Sequence, residues 1–237
     1  MDTAADLAFA DQHAFVSQAI VGARRVVEVG AGPGHLARRL QADGVSVTAL
    51  DLSPPPYVDS SGVRWVQGDF LAFDDEPFDA VLFTASLHHI TPLDAAVERA
   101  RALLAPGGVL VVDDFDLEAP DEATARWYYE VQELLAATGT YDAWRLHAPR
   151  DLPPLQRWQA EHEHHGAPLH TGRVMLAGIE AAVGPPEVAR GPYLYRYLCA
   201  GTSNRSVAQH VLSVETRRIA DGSVQPVGLR VIARSPR

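Results

Sequence analysis

Apolar residues along this chain fall into short runs that alternate with segments of helical spacing. Each run is only a few residues long and is followed by glycine, proline or acidic residues, which is typical of strands buried in a sheet. Because short apolar runs alternate with helical segments, the pattern predicts a doubly wound α/β fold with a mostly parallel sheet. The first five predicted strands lie in the segments 26–29, 45–53, 63–70, 78–90 and 103–113, and the predicted helices between them at 34–43 and 92–104.

The C-terminal half has a less regular pattern. Alternating residues at 192–198 predict strand 6, and about 75 residues precede it after strand 5, far more than the ~12 that a bare crossover needs. We therefore expect one domain over 1–237, with a substrate cap inserted at 118–185 between strands 5 and 6. The remaining predicted elements are helices at 2–21, 120–137, 171–183 and 203–220 and strand 7 at 228–234.

The net charge of the chain argues against a nucleic-acid partner. The formal net charge is −10, with 30 acidic residues against 20 basic ones, and every basic residue is an arginine. A nucleic-acid partner usually requires a basic face, and these arginines are scattered, so we expect no nucleic-acid partner. Since no apolar run reaches the ~20 residues of a membrane span and no leader is evident, we expect a cytoplasmic protein without membrane association.

The strongest local signal is a glycine loop after the first strand. Residues 28–34 read Glu-Val-Gly-Ala-Gly-Pro-Gly, so the glycines are Gly30, Gly32 and Gly34. Bare backbone at such a turn can approach a ligand closely, and Asp51, at the end of the next strand, suits the hydroxyls of a ribose. A dinucleotide fold would have glycine where this chain has His35, and the absence of lysine excludes a P-loop. The pattern therefore predicts a nucleoside site other than a dinucleotide site.

Further segments strengthen this hypothesis. Together with the glycine loop, they resemble, in order, the motifs of the class I S-adenosylmethionine-dependent methyltransferases over roughly residues 20–118. The resemblance implies a Rossmann-like, seven-stranded, mostly parallel sheet, with S-adenosyl-L-methionine as cofactor and S-adenosyl-L-homocysteine as product. These segments are Val45–Ser53, Val63–Phe70, Phe78–Ile90 and Leu103–Asp113.

The same resemblance implies which residues hold the cofactor. Asp51 would bind the ribose, Asp69 the adenine amine and Glu28 the cofactor ammonium, with helix capping by Glu28 and an ordinary turn acid at Asp69 as alternatives. The full predicted cofactor set is Glu28, Gly30, Ala31, Gly32, Gly34, Asp51, Leu52, Gly68, Asp69, Phe70, Thr84, Ala85 and His89.

Candidate catalytic residues follow strands 4 and 5. His88 and His89 follow strand 4, where the methyl group would lie, and we list His89 as a candidate base, with packing of the cofactor loop as the alternative. Asp113, Asp114 and Asp116 follow strand 5; Asp114 is the candidate that orients an amine or partners a histidine, and we expect at least two of the three to be solvated turn acids.

A histidine-rich segment lies in the predicted cap. Residues 161–165 read Glu-His-Glu-His-His, and His170 follows. We predict that His162 and His165 contact substrate, with a solvated or mutually hydrogen-bonded polar loop as the alternative. Metal binding is a further alternative, but the spacing matches no metal template, so no metal ligands are assigned. Trp127, Tyr128, Tyr141, Trp144 and Trp158 are candidates for an apolar acceptor pocket.

The sequence favours a methyltransferase acting on a small organic molecule, a specialised metabolite, through an oxygen, nitrogen or carbon acceptor. One alternative is a cofactor-binding protein that has lost methyl transfer or uses the sulfonium charge for another reaction. A macromolecular acceptor is a further alternative, which no basic tract supports. The sequence leaves a monomer and a homodimer equally open.

Overall fold

The computed structural model describes residues 4–54, 61–140, 151–163, 168–200, 202 and 204–236. It contains seven strands in one sheet, with the order β3-β2-β1-β4-β5-β7-β6. The strands are β1 (Arg25–Val29), β2 (Ser46–Asp51), β3 (Arg64–Gln67), β4 (Phe78–Thr84), β5 (Leu104–Phe115), β6 (Glu187–Gly191) and β7 (Gly228–Arg234).

Eight α-helices accompany the strands in the described residues. They are α1 (Ala4–Ala19), α2 (His35–Ala42), α3 (Leu93–Leu103), α4 (Glu122–Ala137), α5 (Pro154–Glu163), α6 (Gly172–Ala182), α7 (Leu194–Cys199) and α8 (Arg205–Ala220). The predicted α/β class, with a seven-stranded, mostly parallel Rossmann-like sheet, is confirmed. No helix in the described residues is long and apolar enough to cross a lipid bilayer.

The central strands are apolar because both faces of the sheet are covered. In β1, every residue after Arg25 is buried, and β1 pairs in parallel with β2 on one side and with β4 on the other. The pairs β2–β3 and β4–β5 are parallel as well. Strand order reverses at β1, because β2 and β3 lie on one side of it and β4 and β5 on the other. In such sheets the carboxyl ends of the strands at the reversal form the ligand crevice.

The chain divides into two compact units. The glycine-loop unit comprises Gln12–Asp114, Arg173–Ala189 and Leu229–Arg237. Its core is aliphatic and phenylalanine-rich, and α3 presents Leu93, Ala96, Val97, Ala100 and Leu103 to it at helical spacing.

The second unit, here the aromatic unit, comprises Met1–Asp11, Phe115–Gly172 and Arg190–Gly228. Its core contains Phe115, Trp127, Tyr128, Tyr129, Trp158, Tyr193 and Tyr195. Residues 118–172 of the predicted cap lie in this unit and residues 173–185 in the other. The assignment of 118–185 as a substrate cap stays a prediction.

One predicted element is wrong. Residues 192–198 were expected to form strand 6, but strand β6 is Glu187–Gly191 and Leu194–Cys199 is the helix α7. The carboxylate of Glu215 accepts hydrogen bonds from the backbone N–H groups of Tyr193, Leu194 and Tyr195, at 2.7, 2.9 and 2.8 Å. These groups open the helix and would otherwise lack partners, so a residue distant in sequence overrides the alternating pattern.

Candidate functional site

A cavity of about 460 Å³ lies in the glycine-loop unit, lined by residues at and after the ends of β1, β2, β3 and β4. Eight predicted cofactor residues line it: Gly30, Asp51, Leu52, Gly68, Asp69, Phe70, Ala85 and His89. The other lining residues are Val29, Leu50, Leu71, Ser86, Ile90 and Thr91. The predicted residues Glu28, Ala31, Gly32, Gly34 and Thr84 are not part of this lining.

The three glycines of the loop differ in what surrounds them. A methyl group built at Gly30 would lie 2.6 Å from Cβ of Ser86, and one at Gly34 would lie 2.0 Å from Cη2 of Trp65. A methyl group at Gly32 would meet nothing within 4 Å, although its φ of +51° still disfavours a side chain. Of the three loop glycines, only Gly32 therefore has open space at the position of a Cβ atom.

Asp51 ties the glycine loop to the end of β2. Its Oδ2 accepts a hydrogen bond from the N–H of Gly32 at 2.8 Å, and its Oδ1 accepts one from the N–H of Ser53, also at 2.8 Å. Its own carbonyl accepts from the N–H of Gly68 at 3.0 Å. Each carboxylate oxygen has a second lone pair, so Asp51 can hold the loop and still accept from a ligand.

Asp69 lies at the end of the next strand. Its side chain accepts a hydrogen bond from the N–H of Leu71 at 2.9 Å and opens a short 3₁₀ turn, Phe70–Ala72. The turn buries Phe70, whose ring meets that of Phe83 edge to face at 5.4 Å. Gly68, Asp69 and Phe70 therefore reach the cavity as one rigid turn. Leu52, 69 % exposed, lines the cavity from the loop after β2.

Glu28 is buried in the middle of the sheet. It is 2 % exposed, and its Oε1 accepts a hydrogen bond from Oγ1 of Thr84 at 2.9 Å. Its Oε2 has no hydrogen-bond partner among the described residues. Burial raises the pKa of Glu28 to about 7; Thr84 and the backbone of Ala37 lower it, and the charge of Asp51 raises it further. An orphaned carboxylate oxygen beneath the glycine loop has the chemistry of an acceptor for a cationic group.

The loop after β4 is held by backbone contacts. Ala85 has a φ of +53°, and its N–H donates to the carbonyl of Asp113 at 2.9 Å. Oγ of Ser86 donates to the carbonyl of Val29 at 2.6 Å, which joins this loop to the start of the glycine loop. The sequence reasoning missed Ser86, although its place directly after a predicted strand end was a usable signal.

His88 and His89 have different surroundings. His88 is buried, and its Nδ1 lies 3.0 Å from Oδ2 and 2.8 Å from Oδ1 of Asp114, which is 0 % exposed. His89 is exposed, lines the cavity, and its ring lies 4.0 Å from that of His88 at 41°. Asp114 therefore partners His88, while His89 faces the cavity.

The expectation that two of the three strand-5 acids are solvated is wrong, because Asp113, Asp114 and Asp116 are all buried. Asp113 accepts from Nε2 of Gln12 at 3.3 Å and from Nε of Arg230 at 3.0 Å. In the aromatic unit, Asp116 accepts from the N–H of Gly172 and from Nη1 of Arg190, both at 2.9 Å. These partners lie more than fifty positions away, so no local sequence pattern indicates them.

His162 belongs to the aromatic unit. Its Nδ1–H donates to the carbonyl of Trp158 at 2.8 Å, which fixes the orientation of the ring. The ring stacks 4.1 Å from Trp158 and 5.6 Å from Phe115. Burial raises the pKa of the Cys199 thiol to about 12, which disfavours the reactive thiolate.

Several candidates fall outside the described residues. These are His165, His164, Tyr141 and Trp144, so their predicted roles stay predictions. Among the residues that the structure describes, no group of three or more His, Cys, Asp or Glu side chains could hold a metal ion.

Comparisons with known proteins agree with this geometry. A family model described as a methyltransferase domain matches residues 1–152. An uncharacterized methyltransferase of Mycobacterium bovis is 31% identical over 145 residues, which cover 57% of this chain and 73% of that protein. A demethylmenaquinone methyltransferase of Tropheryma whipplei is 31% identical over 105 residues, covering 40% of this chain and 44% of that protein.

Among solved structures, similarity extends over nearly the whole chain. The 1,6-didemethyltoxoflavin-N1-methyltransferase of Burkholderia thailandensis, crystallised with 1,6-didemethyltoxoflavin and S-adenosylhomocysteine, aligns with a TM-score of 0.54. The alignment covers 95% of this chain and 76% of that chain at 20% identity. At this identity the alignment establishes a shared fold.

Proposed function

The chain belongs to the class I S-adenosylmethionine-dependent methyltransferases, and we propose that it transfers the methyl group to a small organic molecule. The observation that carries the assignment of the site is the 460 Å³ cavity in which Gly30, Asp51, Asp69 and His89 meet. S-adenosylmethionine supplies an electrophilic methyl group on a positively charged sulfur, and the residues around this cavity fit its functional groups.

The fit rests on the chemistry of the donors and acceptors present. The open space at Gly32 admits a ligand against bare backbone. Asp51 has acceptor capacity for ribose hydroxyls, and the rigid turn at Gly68, Asp69 and Phe70 suits adenine. The orphaned oxygen of Glu28 suits the ammonium group, and Gly30, Ala31 and Gly34 hold the loop. Thr84 supports Glu28, while Leu52 and Ala85 complete the wall.

We assign His89 the role of a base at the cavity. A base is required only where the acceptor atom loses a proton on methylation. His89 is exposed at the cavity, and its ring packs on that of His88, which Asp114 holds in place. Asp114 is fully buried, so it is a positioning residue that acts through His88. His162 and His165 are proposed contacts of the acceptor in the aromatic unit.

The charge of the chain supports a small acceptor. A net charge of −10 repels polyanions, and no lysine is present to contact phosphates. Two of the methyltransferases to which this chain is similar are named for demethylmenaquinone and 1,6-didemethyltoxoflavin, and both of these are small organic molecules. Together these observations favour a small organic acceptor over RNA, DNA or protein.

Two experiments test the proposal. Calorimetric titration with S-adenosylmethionine, S-adenosylhomocysteine and NAD should show binding of the first two and none of NAD. Radiolabelled methyl transfer should then be measured with three panels: quinols, phenols and amines; tRNA and rRNA; and a protein extract. Label in the first panel alone supports the proposal, and label in RNA or protein alone contradicts it.

A further inference from the structure

We infer that Trp65 is a positioning residue for the cofactor loop, whose indole ring holds the loop at Gly34. The inference rests on the proposed binding of S-adenosylmethionine at this loop. Trp65 lies on β3, where it pairs with Ala49 of β2, and it is not part of the cavity lining. Trp65 therefore affects a ligand in this cavity only through the residues that it holds in place.

The contact between ring and loop is tight. A methyl group built at Gly34 would lie 2.0 Å from Cη2 and 2.9 Å from both Cζ2 and Cζ3 of Trp65. All three atoms belong to the outer edge of the six-membered ring. The space that a side chain would need at Gly34 is therefore already filled by the indole, whereas the same space at Gly32 is open.

Arg38 adds a second contact between the ring and the loop. Its guanidinium lies 5.2 Å from the centre of the Trp65 ring, and its Nη1 donates to the carbonyl of Pro33 at 2.6 Å. Pro33 immediately precedes Gly34. The indole thus supports the C-terminal end of the loop both directly and through an arginine on α2.

Gly34 is the point at which this support matters. It has a φ of +70° and is the residue from which α2 begins. Its N–H donates to the carbonyl of Ala31 at 2.8 Å, and its carbonyl accepts from the N–H of Arg38 at 3.1 Å. A glycine without this support would sample other conformations, and the free energy of ordering it would be subtracted from cofactor binding.

Because the indole nitrogen has no hydrogen-bond partner among the described residues, replacing Trp65 changes only its packing. Nε1 of Trp65 is buried and has no hydrogen-bond partner among the described residues. Trp65→Phe therefore removes the outer ring edge without leaving an unpaired acceptor behind. We expect W65F to weaken S-adenosylmethionine about fivefold by calorimetry, an effect in the range of small packing losses. Its melting temperature should stay above the temperature of the titration.

The decisive measurement is a double-mutant cycle with Gly34→Ala. G34A should weaken S-adenosylmethionine more than about a hundredfold, through the clash with the indole and the strained φ. Because W65F relieves the clash, G34A/W65F should bind about tenfold more tightly than G34A, whereas additivity predicts that it binds about fivefold more weakly. The coupling is therefore about fiftyfold, or about 2.3 kcal/mol. The matched cycle of G32A with W65F should be additive, since Gly32 has no such contact.

The outcomes separate the two hypotheses. Absence of S-adenosylmethionine binding to the wild-type protein refutes the proposed function. Wild-type binding together with additive effects at positions 34 and 65 overturns the inference about Trp65 and leaves the function intact. An altered melting temperature of W65F with unchanged cofactor affinity also overturns it, because Trp65 would then be a packing residue only. If G34A fails to fold, the affinity and the melting temperature of W65F together still test the inference about Trp65.

Discussion

In each of the two units, a side-chain carboxylate accepts hydrogen bonds from backbone N–H groups, but the two carboxylates have different roles. In the glycine-loop unit, Asp51 accepts from Gly32 and Ser53 while lining a cavity of about 460 Å³. In the aromatic unit, Glu215 accepts from three backbone N–H groups and is 0 % exposed. Both contacts order the backbone, but only Asp51 borders space for a ligand. A carboxylate bonded to backbone therefore identifies a binding site only where a cavity accompanies it.

The two units also differ in how they hold imidazole rings. His88 is fixed by a buried carboxylate, whereas His162 is fixed by a backbone carbonyl and by stacking on Trp158. The contact with Asp114 orients the His88 ring, which packs on that of His89, and the carbonyl of Trp158 orients Nδ1–H of His162. The comparison therefore predicts a supporting ring at His88 and an acceptor contact at His162.

The largest expected effect is on the aromatic unit. Glu215→Ala leaves the N–H groups of Tyr193, Leu194 and Tyr195 unpaired, and we expect a loss of about 4 kcal/mol in the free energy of unfolding. Urea denaturation followed by circular dichroism measures it. Glu130→Ala, which removes an exposed acid of the same unit, is the control and should be nearly neutral. A Glu215→Ala protein as stable as the wild type would contradict the capping role.

The next effect is on cofactor affinity. Asp51→Ala should weaken S-adenosylmethionine more than about a hundredfold, because a ribose acceptor and an anchor of the loop are both lost. Asp79→Ala is the matched control: Asp79 also accepts from two backbone N–H groups, of Arg24 and Arg25 at 2.7 and 2.9 Å, and lies outside the cavity. It should lower stability and preserve affinity by calorimetry. Equal affinity losses in both variants would count against the ribose assignment.

A pH-dependent effect of intermediate size is expected at Glu28. Its pKa is raised by burial from 4.5 to about 7, so the folded protein retains a proton that the unfolded chain has released. Glu28 therefore contributes stability below pH 4.5 that is lost as the pH rises through about 7. Glu28→Gln should remove this loss and be more stable than the wild type at pH 8, by up to about 3 kcal/mol.

Cofactor binding should show the opposite dependence at Glu28. The cofactor ammonium requires the charged carboxylate, so wild-type affinity should fall about tenfold between pH 8 and pH 6. Glu28→Gln should bind weakly and without this dependence. Calorimetry at the two pH values tests both statements. A Glu28→Gln variant with wild-type affinity at pH 8 would exclude the ammonium role.

The smallest expected effect concerns His162. His162→Phe keeps the ring that stacks on Trp158 and removes the basic nitrogen. We expect turnover to fall about tenfold, as for the loss of one polar contact with the acceptor, with S-adenosylmethionine affinity unchanged. His210→Phe, an exposed histidine on α8 of the same unit, is the control. Unchanged turnover of His162→Phe with the identified acceptor would remove His162 from the site.

The candidate site was predictable where function depends on the backbone. The spacing of Gly30, Gly32 and Gly34 and the place of Asp51 are local features, and the carboxyl ends of neighbouring parallel strands meet by geometry alone. Local sequence features could not show why a side chain is excluded at each individual glycine. Contacts with Ser86 and Trp65 exclude a side chain at Gly30 and Gly34, and both arise from packing between distant elements.

By itself, the sequence determined the α/β class, six of the seven strands and the glycine loop with Asp51 after it, because apolar periodicity and glycine spacing are local features of the chain. Tertiary structure alone decided that 194–199 is a helix, that Asp114 partners His88, and that Oε2 of Glu28 has no partner among the described residues. The physical reason is that burial and hydrogen bonding depend on partners brought together by folding. Glu215, for example, reaches back about 20 positions to start α7.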